Sequence, residues 1–292
     1  MAVKKLIEYV NDAQKSKTAI GHFNISNIEG LWGIFNSARK LNLPVIIGTA
    51  EGERDFIGQR QAVALVKSLR EEFDYPIFIN ADHTYSLEKI NEAIHAGYDS
   101  VIFDGTKLSI EENIAMTKKC VSLVKSFNPD ILVEGEIGYI GTSSKIFDEI
   151  PEGVDLSEDG LTSPELAKRF VEETGVDMLA PAVGNIHGML RGGVDPGLDC
   201  SLIGKIKGAV SVPLVLHGAS GNSNEDIAKA IESGISLIHI NTELRVAYKN
   251  ALIRSLQDSP DELAPYKFLR ESVKAVSNVV EKKLKLFSKI ND

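Results

Sequence analysis

Three histidines stand behind short apolar segments that have the composition of β-strands. His83 follows the run Ile77 to Ala81, His217 follows Leu214 to Leu216, and His187 lies behind a third such run. Side chains at the ends of separate strands can converge on one point, where three imidazole nitrogens would hold a divalent metal and leave a position open for substrate. The pattern therefore predicts a catalytic metal site, and imidazole ligands suit zinc well.

Asp82 directly precedes His83. In a regular strand the two side chains would point to opposite faces, so both can reach one ligand only if the strand ends or turns there. Asp82 would then lie near the metal without binding it and could act as a general base on a substrate hydroxyl. A turn residue that only hydrogen-bonds backbone before the helix at Ser86 is an equally good interpretation.

Further polar groups follow the other predicted strands. Glu134 and Glu136 share one face of a strand, so they could orient the imidazoles as hydrogen-bond partners or form a structural pair. Asn24 and Asp104 come at strand ends, where site residues and ordinary turn residues both occur. His22 lies two residues before Asn24 and is expected near the site.

Two loops behind predicted strands could contact a substrate. The segment His217-Gly218-Ala219-Ser220-Gly221 is rich in small residues where a strand passes into a helix, so its backbone N–H groups could approach a phosphate closely. Tight loops also use glycine for conformational reasons alone. Behind the second strand, Glu51, Glu53 and Arg54 could read the far end of a substrate or form a solvated loop.

Apolar strand-like runs alternate with amphipathic helical segments along the chain. The candidate strands are Ala19 to Phe23, Val45 to Gly48, Ile77 to Ala81, Ser100 to Phe103, Ile131 to Glu134, Met178 to Pro181, Leu214 to Leu216 and Leu237 to Ile240. The clearest helical patterns are Leu87 to His95, Glu111 to Val124, Pro164 to Glu173 and Asn224 to Ser233. Their predicted N-caps are Ser86, Ser109, Ser163 and Ser223. Ser109 and Glu112 also have the spacing of a capping box.

This alternation predicts a parallel sheet with crossover helices. Eight β-α units over about 250 residues is the size of a (β/α)8 TIM barrel, whose active site lies at the carboxyl ends of the strands. A doubly wound open sheet is the alternative, but it would not bring so many strand ends together. We expect one domain over residues 1–292 with additional C-terminal helices from about 260 to 292, which could pack on the barrel or on another subunit.

The composition limits the classes of partner. The chain has 292 residues and a formal net charge of −9, which gives no long-range attraction for nucleic acid or for an anionic membrane. No signal sequence or apolar run of membrane-spanning length stands out. Cys120 and Cys200 lack the spacing of a disulfide framework. We therefore expect a cytoplasmic protein with a small ligand.

Five motifs occur along the chain in a fixed order. They are Asp82-His83, Glu134-Gly135-Glu136-Ile137-Gly138, Gly184-Asn185-Ile186-His187-Gly188, His217-Gly218-Ala219-Ser220-Gly221 and Thr242-Glu243-Leu244. Together they resemble the motifs of class II, metal-dependent ketose-bisphosphate aldolases, a family that includes fructose- and tagatose-bisphosphate aldolases. The resemblance extends from about Gly21 to about Ala251.

The resemblance implies a zinc-dependent aldolase that cleaves or forms a ketose 1-phosphate or ketose 1,6-bisphosphate through the enediolate of dihydroxyacetone phosphate. It implies a zinc ion, or another divalent metal, held by His83, His187 and His217. Asp82 matches the catalytic acid/base. A Lewis acid at the C2 oxygen would stabilise the enediolate, so no lysine Schiff base is required.

Other positions match groups around the metal and the substrate. Asp104 and Glu136, with Glu134 beside them, are acidic groups that would orient the imidazoles or offer an alternative metal ligand. The positions expected to contact phosphate or substrate are Asn24, Gly188, Gly218, Ala219, Ser220, Gly221, His239, Asn241 and Thr242. A monovalent cation is a further candidate cofactor, and a homodimer or homotetramer is the expected assembly.

Several positions depart from the family pattern. His239 stands where the family usually has an asparagine that holds the enediolate, and Leu237 stands where lysine is common. Ala50 replaces a usual serine and Tyr266 a usual arginine, which points to a missing second phosphate contact. Where some members carry an acidic residue for proton exchange, this chain has Ser143, Ser144 and Lys145.

These departures leave a second hypothesis open. A noncatalytic or regulatory barrel could have kept the metal and phosphate pocket while losing turnover. The complete set of histidines beside Asp82 favours the enzyme, because a binding module has little need of an acid/base group there.

Overall fold

A barrel of parallel strands forms the centre of the protein. The computed structural model describes residues 3–142, 144–192 and 195–290, so Ser143 and the last two residues of the expected tail lie outside the described residues. The barrel strands are β1 (Ile20–Asn24), β2 (Val45–Thr49), β3 (Ile77–Thr84), β4 (Ser100–Phe103), β5 (Leu132–Ile137), β7 (Met178–Pro181), β9 (Leu214–Leu216) and β10 (Ile235–Ile240). Two short strands pair outside the barrel, β6 (Ile146–Phe147) and β8 (Met189–Leu190).

The barrel is closed. Over the described residues its strands follow the order β1-β10-β9-β7-β5-β4-β3-β2, and β1 pairs with both β2 and β10. The predicted (β/α)8 TIM barrel is therefore confirmed. An open doubly wound sheet is excluded, because its edge strands would each have only one neighbour.

Helices surround the barrel. They are α1 (Leu6–Ser16), α2 (Ile28–Leu41), α3 (Glu51–Ile57), α4 (Gln59–Phe73), α5 (Leu87–Ala96), α6 (Ile110–Phe127), α7 (Pro164–Thr174), α8 (Cys200–Ala209), α9 (Asn224–Ser233), α10 (Thr242–Asp258), α11 (Pro265–Phe268) and α12 (Arg270–Phe287). The predicted serine N-caps of α5, α6, α7 and α9 are all present. None of the helices within residues 3–142, 144–192 and 195–290 has the length and apolar character needed to span a bilayer.

The amino-terminal half of the barrel interior is apolar. Side chains alternate between the two faces of a strand, so every second residue points inward. The inward-facing apolar side chains are Ile20, Ile46, Phe78, Leu132, Met178, Val215 and Leu237. Helix α1 closes this end, because its buried Leu6, Val10 and Ala13 pack on the same cluster.

The carboxyl half of the same interior is polar. At the next inward-facing positions along the strands, the buried side chains are His22, Asn80, Ser100, Glu134 and His239. Polar groups removed from water must find hydrogen-bond partners. The change from an apolar to a polar interior therefore marks where the barrel stops serving as a core and starts serving as a site.

The C-terminal tail packs on its own barrel. Helix α12 lies against α2 and α10 and buries Val276, Val280, Leu284 and Phe287. Helix α2 permits this close approach through Gly33, where an added Cβ would lie 2.8 Å from Cγ1 of Val276. The sequence had left the barrel and a second subunit as alternative partners, and the described tail contacts the barrel.

Ser109 provides a test of the helix boundaries. Its hydroxyl accepts a hydrogen bond from the backbone N–H of Glu112, whose carboxylate in turn accepts one from the N–H of Ser109. Replacing an N-cap serine leaves helix donors unsatisfied, so Ser109→Ala should lower the free energy of unfolding by about 1 kcal/mol in urea denaturation. Ser122 lies exposed on the same helix, and Ser122→Ala should change it by less than about 0.5 kcal/mol. Equal losses in the two variants would contradict the capping box.

Candidate active site

A bulge in β3 directs Asp82 and His83 into the same cavity. Ala81 of β3 pairs with Val101 of β4, but the next pair joins Thr84 to Phe103, so two residues of β3 stand opposite one of β4. His83 has φ = +40°, a conformation that residues with a Cβ rarely adopt. A bulge re-aims a side chain in this way. The structure thus resolves the difficulty that neighbouring strand residues normally point apart.

The three predicted histidines converge. The ring centroid of His83 lies 4.8 Å from that of His187 and 5.1 Å from that of His217. One nitrogen from each ring can be chosen so that all three lie within 4.8 Å of one another. One ring comes from β3, one from the residue that follows β9 and one from the loop behind β7. The three rings therefore surround one point.

Each imidazole has one nitrogen held by an acceptor and one left over. Nδ1 of His187 lies 2.6 Å from the carbonyl oxygen of Gly141, and Nε2 of His217 lies 2.7 Å from Oε1 of Glu134. Nδ1 of His83 lies 3.0 Å from Oδ2 of Asp104. With the proton assigned to each of these nitrogens, the other nitrogen keeps its lone pair, which is the arrangement that metal-binding histidines require.

Carboxylates crowd the same region. Oε1 of Glu136 lies 3.2 Å from Nδ1 of His83 and 3.0 Å from Nδ1 of His217. His83, Asp104 and Glu136 form a second group of atoms close enough to hold one cation. Burial raises the pKa of both Glu134 and Glu136, which nearby carboxylates raise further. A site so rich in buried acceptors suits a cation.

The neighbouring charged groups shift the pKa values of His83 and Asp104. Burial by itself would lower the pKa of His83, but Asp82, Glu136 and Asp104 hold it well above its usual value. Burial would likewise raise the pKa of Asp104, but hydrogen bonds with His83 and Thr106 lower it to about 2. The carboxylates around His83 thus favour positive charge at this point, which a divalent cation would also supply.

Asp82 is held on one oxygen only. Nδ2 of Asn24 donates to Oδ2 of Asp82 at 2.8 Å and to Glu53 at 2.9 Å. Oδ1 of Asp82 is buried without a hydrogen-bond partner and lies 3.4 Å from Nδ1 of His239. Burial raises the pKa of Asp82, but His83 and His239 outweigh it and hold the pKa well below the usual value. Asp82 is therefore an ionised carboxylate with one unused oxygen.

His239 belongs to a stack of three imidazoles. It lies parallel to His22, with ring centroids 3.5 Å apart, and stacks on His217 at 4.0 Å. His22 and His239 are register partners on β1 and β10. Nε2 of His22 is 3.1 Å from Oδ1 of Asn80. Gly48 makes room for the stack, because a Cβ there would lie 2.1 Å from Cε1 of His22.

The loop behind β9 turns back towards the cavity at Gly218. This residue has φ = +62°, and a Cβ on it would lie 2.2 Å from the carbonyl oxygen of Ile186, so only glycine fits. A 3₁₀ turn at Ala219–Gly221 follows, and α10 begins beside it at Thr242. Backbone N–H groups at the start of a helix favour an anion. This end of the cavity can therefore hold a phosphate.

A cavity of about 200 Å³ connects these features. The expected site residues that line it are Asn24, Asp82, His83, His187, Gly188, His217, Gly218, Ser220, His239, Asn241 and Thr242. The remaining five, Asp104, Glu134, Glu136, Ala219 and Gly221, are buried behind its wall. The barrel thus places some of the expected site residues at the cavity surface and the others behind it.

Some lining residues lay outside the sequence-based expectations. Tyr85, Thr142 and Arg245 line the cavity as well. Arg245 is three residues behind Thr242, one helical turn along α10, so helical periodicity could have indicated it. Tyr85 and Thr142 carry no comparable sequence signal.

The segment behind β2 fits the two interpretations of the sequence only in part. It forms α3 rather than a solvated loop, and Glu53 and Arg54 are buried. Arg54 is only 1% exposed and does not line the cavity, so it cannot read the far end of a substrate. Glu51 does line the cavity. Burial of the adjacent Glu53 and Arg54 is a tertiary effect that the local sequence does not predict.

Comparison with known proteins gives a consistent result. The family model described as fructose-bisphosphate aldolase class-II matches residues 4–292. The chain is 35% identical to a probable fructose-bisphosphate aldolase of Bacillus subtilis, covering 100% of this chain and 99% of that protein. It is 36% identical to the 6-phospho-5-dehydro-2-deoxy-D-gluconate aldolase of Shouchella clausii, covering 96% and 92%. The crystal structure of the YdjI aldolase from Escherichia coli K12 superposes with a TM-score of 0.82 at 34% identity, covering 98% and 97%.

The buried His22 predicts a pH dependence of stability. Burial and the adjacent His239 lower the pKa of His22 from 6.5 to about 3. The unfolded chain takes up this proton below about pH 6.5 and the folded one does not, so the stabilisation is complete above that pH and is lost as the pH falls towards 3. His22 should account for about 2 kcal/mol of the unfolding free energy lost between pH 7 and pH 5.

This effect can be isolated in the metal-free protein. Unfolding free energies of wild type and His22→Gln at the two pH values should differ in their pH dependence by that amount. His95 is exposed on α5, so His95→Gln should keep the wild-type dependence. If His22→Gln also kept it, His22 would not be neutral in the folded state.

Proposed function

The chain belongs to the class II fructose-bisphosphate aldolase family and is a carbon–carbon lyase that releases or adds an aldehyde, and we propose that it uses zinc to process a ketose 1-phosphate. The single observation that carries this proposal is the convergence of His83, His187 and His217 on one point beside the unused oxygen of Asp82. The reaction proposed is cleavage between C3 and C4 to dihydroxyacetone phosphate and an aldehyde, or the reverse condensation.

The donor set fits a divalent metal. Nδ1 of His217 is buried without a hydrogen-bond partner, while its Nε2 is held by Glu134. A buried nitrogen without a hydrogen-bond partner costs free energy unless a ligand binds to it. A divalent cation bound by the three imidazoles would polarise the ketose carbonyl as a Lewis acid. Zinc suits a site of three nitrogen ligands.

Asp82 is proposed as the acid/base. Asn24 fixes one of its oxygens, so the other can face the C4 hydroxyl of a bound ketose. In cleavage, Asp82 takes the proton of that hydroxyl as the C3–C4 bond breaks and the C4 oxygen becomes the aldehyde oxygen. In condensation the same carboxyl returns the proton. The pKa of Asp82 is held well below its usual value, so the carboxylate is ionised, as a base must be before it accepts a proton.

The phosphate is proposed to lie against Gly218, Ser220 and the start of α10. These residues line the cavity on the side of His217. Helix α10 is 17 residues long and begins at Thr242. Its N-terminal N–H groups therefore carry the full partial positive charge of a helix end.

The far end of the cavity favours an aldehyde without a phosphate of its own. Glu51 and Tyr85 line it, and a carboxylate there repels a second anion. The guanidinium of Arg245, which also lines the cavity, is already paired with Glu53 at 2.5 Å. Tyr266, at the position where relatives have arginine, is 72% exposed and does not reach the cavity. We therefore propose a ketose 1-phosphate in preference to a ketose 1,6-bisphosphate.

The proposed function is tested by metal content and cleavage of a sugar phosphate panel. Purified protein should carry about one zinc per chain, and EDTA should abolish cleavage of ketose 1-phosphates until zinc is restored. His187→Ala should lose the metal and nearly all activity, because one of the three ligands is gone. His95→Ala, a histidine on the outer helix α5, should keep both. A metal-free wild type that cleaves the panel at full rate would refute the proposal.

Asp82 is tested separately from the metal. Asp82→Asn keeps the shape of the side chain but removes the base, so the variant should retain zinc and lose about 10²- to 10⁴-fold in kcat. Exchange of the C3 hydrogen of dihydroxyacetone phosphate should persist better than cleavage, because Asp82 serves the C4 hydroxyl. Full kcat in the variant would show that another group moves the proton.

A further inference from the structure

Arg54 has no place in the chemistry described so far, yet it is one of the largest fully buried side chains in the protein. It belongs to α3, behind the wall of the cavity. Its nearest carboxylate oxygen, Oε1 of Glu51, lies 3.9 Å away. Burying a charge at this distance from a counter-ion is unfavourable unless other groups hydrogen-bond to it. The guanidinium must therefore be held by something else.

The guanidinium is held by the end of β3 on both sides of His83. Nη1 donates to the carbonyl oxygen of Asp82 at 2.9 Å, and Nη2 donates to Oγ1 of Thr84 at 3.1 Å. Nη1 also donates to the carbonyl oxygen of Thr49 at the end of β2. Arg54 thus clamps the residue before and the residue after the bulged histidine and ties both to the neighbouring strand.

The bulge needs such a clamp. His83 has φ = +40°, and a residue with a Cβ is strained in the left-handed region. The pairing of β3 with β4 is interrupted between Ala81 and Thr84, so the regular ladder does not fix this stretch. A flat strand would turn His83 away from the cavity that Asp82 faces. The position of one proposed metal ligand thus depends on an irregular backbone.

We propose that Arg54 is a positioning residue for the reaction, which it serves by holding the bulge that aims Asp82 and His83 into one cavity. This inference rests on the proposed function of those two residues. The planar guanidinium satisfies three acceptors in fixed directions from one side chain. A lysine ammonium would have the charge without that geometry.

Arg70 offers a matched control at the other end of the same strand. Its guanidinium donates to the carbonyl oxygen of Ile77, the first residue of β3, and to Asp99. It therefore braces β3 as Arg54 does, but at the apolar end of the barrel. Loss of a general structural contribution should affect Arg54→Lys and Arg70→Lys alike, whereas loss of positioning should affect only Arg54→Lys.

The experiment measures Co²⁺ binding by its visible absorption together with kcat, KM and thermal unfolding of the zinc-loaded enzymes. Arg54→Lys should bind Co²⁺ about 10- to 100-fold more weakly, as happens when a group that orients a metal ligand is altered. It should lose a similar factor in kcat with KM changed less than about threefold, because the phosphate end is untouched. Arg70→Lys should stay within about threefold of wild type in both measurements.

A second variant keeps the test valid if Arg54→Lys does not fold. Thr84→Val preserves the shape of the side chain and removes one of the three acceptors, so it should weaken Co²⁺ binding and kcat in the same direction by a smaller factor. Co²⁺ affinity and kcat in the Arg54 and Thr84 variants that match Arg70→Lys would overturn the proposal. Wild-type protein that bound no Co²⁺ would instead refute the proposed metal site itself.

Discussion

The structure depends on burying many ionisable groups in one half of a closed barrel. Carboxylates of Asp82, Asp104, Glu134 and Glu136 share this space with imidazoles, and all of the carboxylates are at least nine-tenths buried. Charges removed from water must be paired or hydrogen-bonded. Most of their atoms are, and two of the exceptions, Oε1 of Glu136 and Nδ1 of His217, lie 3.0 Å apart at the proposed metal site. The unmet electrostatic demand of the barrel is therefore concentrated where a cation would bind.

The other half of the barrel stabilises the fold against the cost of burying these groups. Its interior is apolar from wall to wall and is closed by α1, so hydrophobic burial there offsets the cost of the polar half. Outside the barrel, apolar residues of the helices pack on the strands and form a second hydrophobic core. A TIM barrel can thus carry a strained and charged site because the strand ends rest on a rigid core.

His239, one of the expected departures from the family pattern, is held by its neighbours in the barrel. It stacks on His22, its register partner on β1. Two aromatic rings in this layer need space, which Gly48 on the adjacent β2 provides. The position of His239 therefore depends on residues of two neighbouring strands, His22 on β1 and Gly48 on β2. The three imidazoles of His22, His217 and His239 thus form one stacked layer beside the cavity.

The sequence by itself determined the class of fold and the convergence of the histidines. Alternating strand and helix patterns and serine N-caps such as Ser109 are local signals, and the structure has both where they were expected. The histidines behind the apolar runs are a local signal as well, and their rings converge. The tertiary structure alone decided how β3 bulges at His83, that Arg54 is buried rather than solvated, and that α12 covers its own barrel. These features arise from contacts between residues far apart in the chain. Hydrophobic periodicity records which face of an element is buried, but it does not record which neighbour buries it or where a ladder must break.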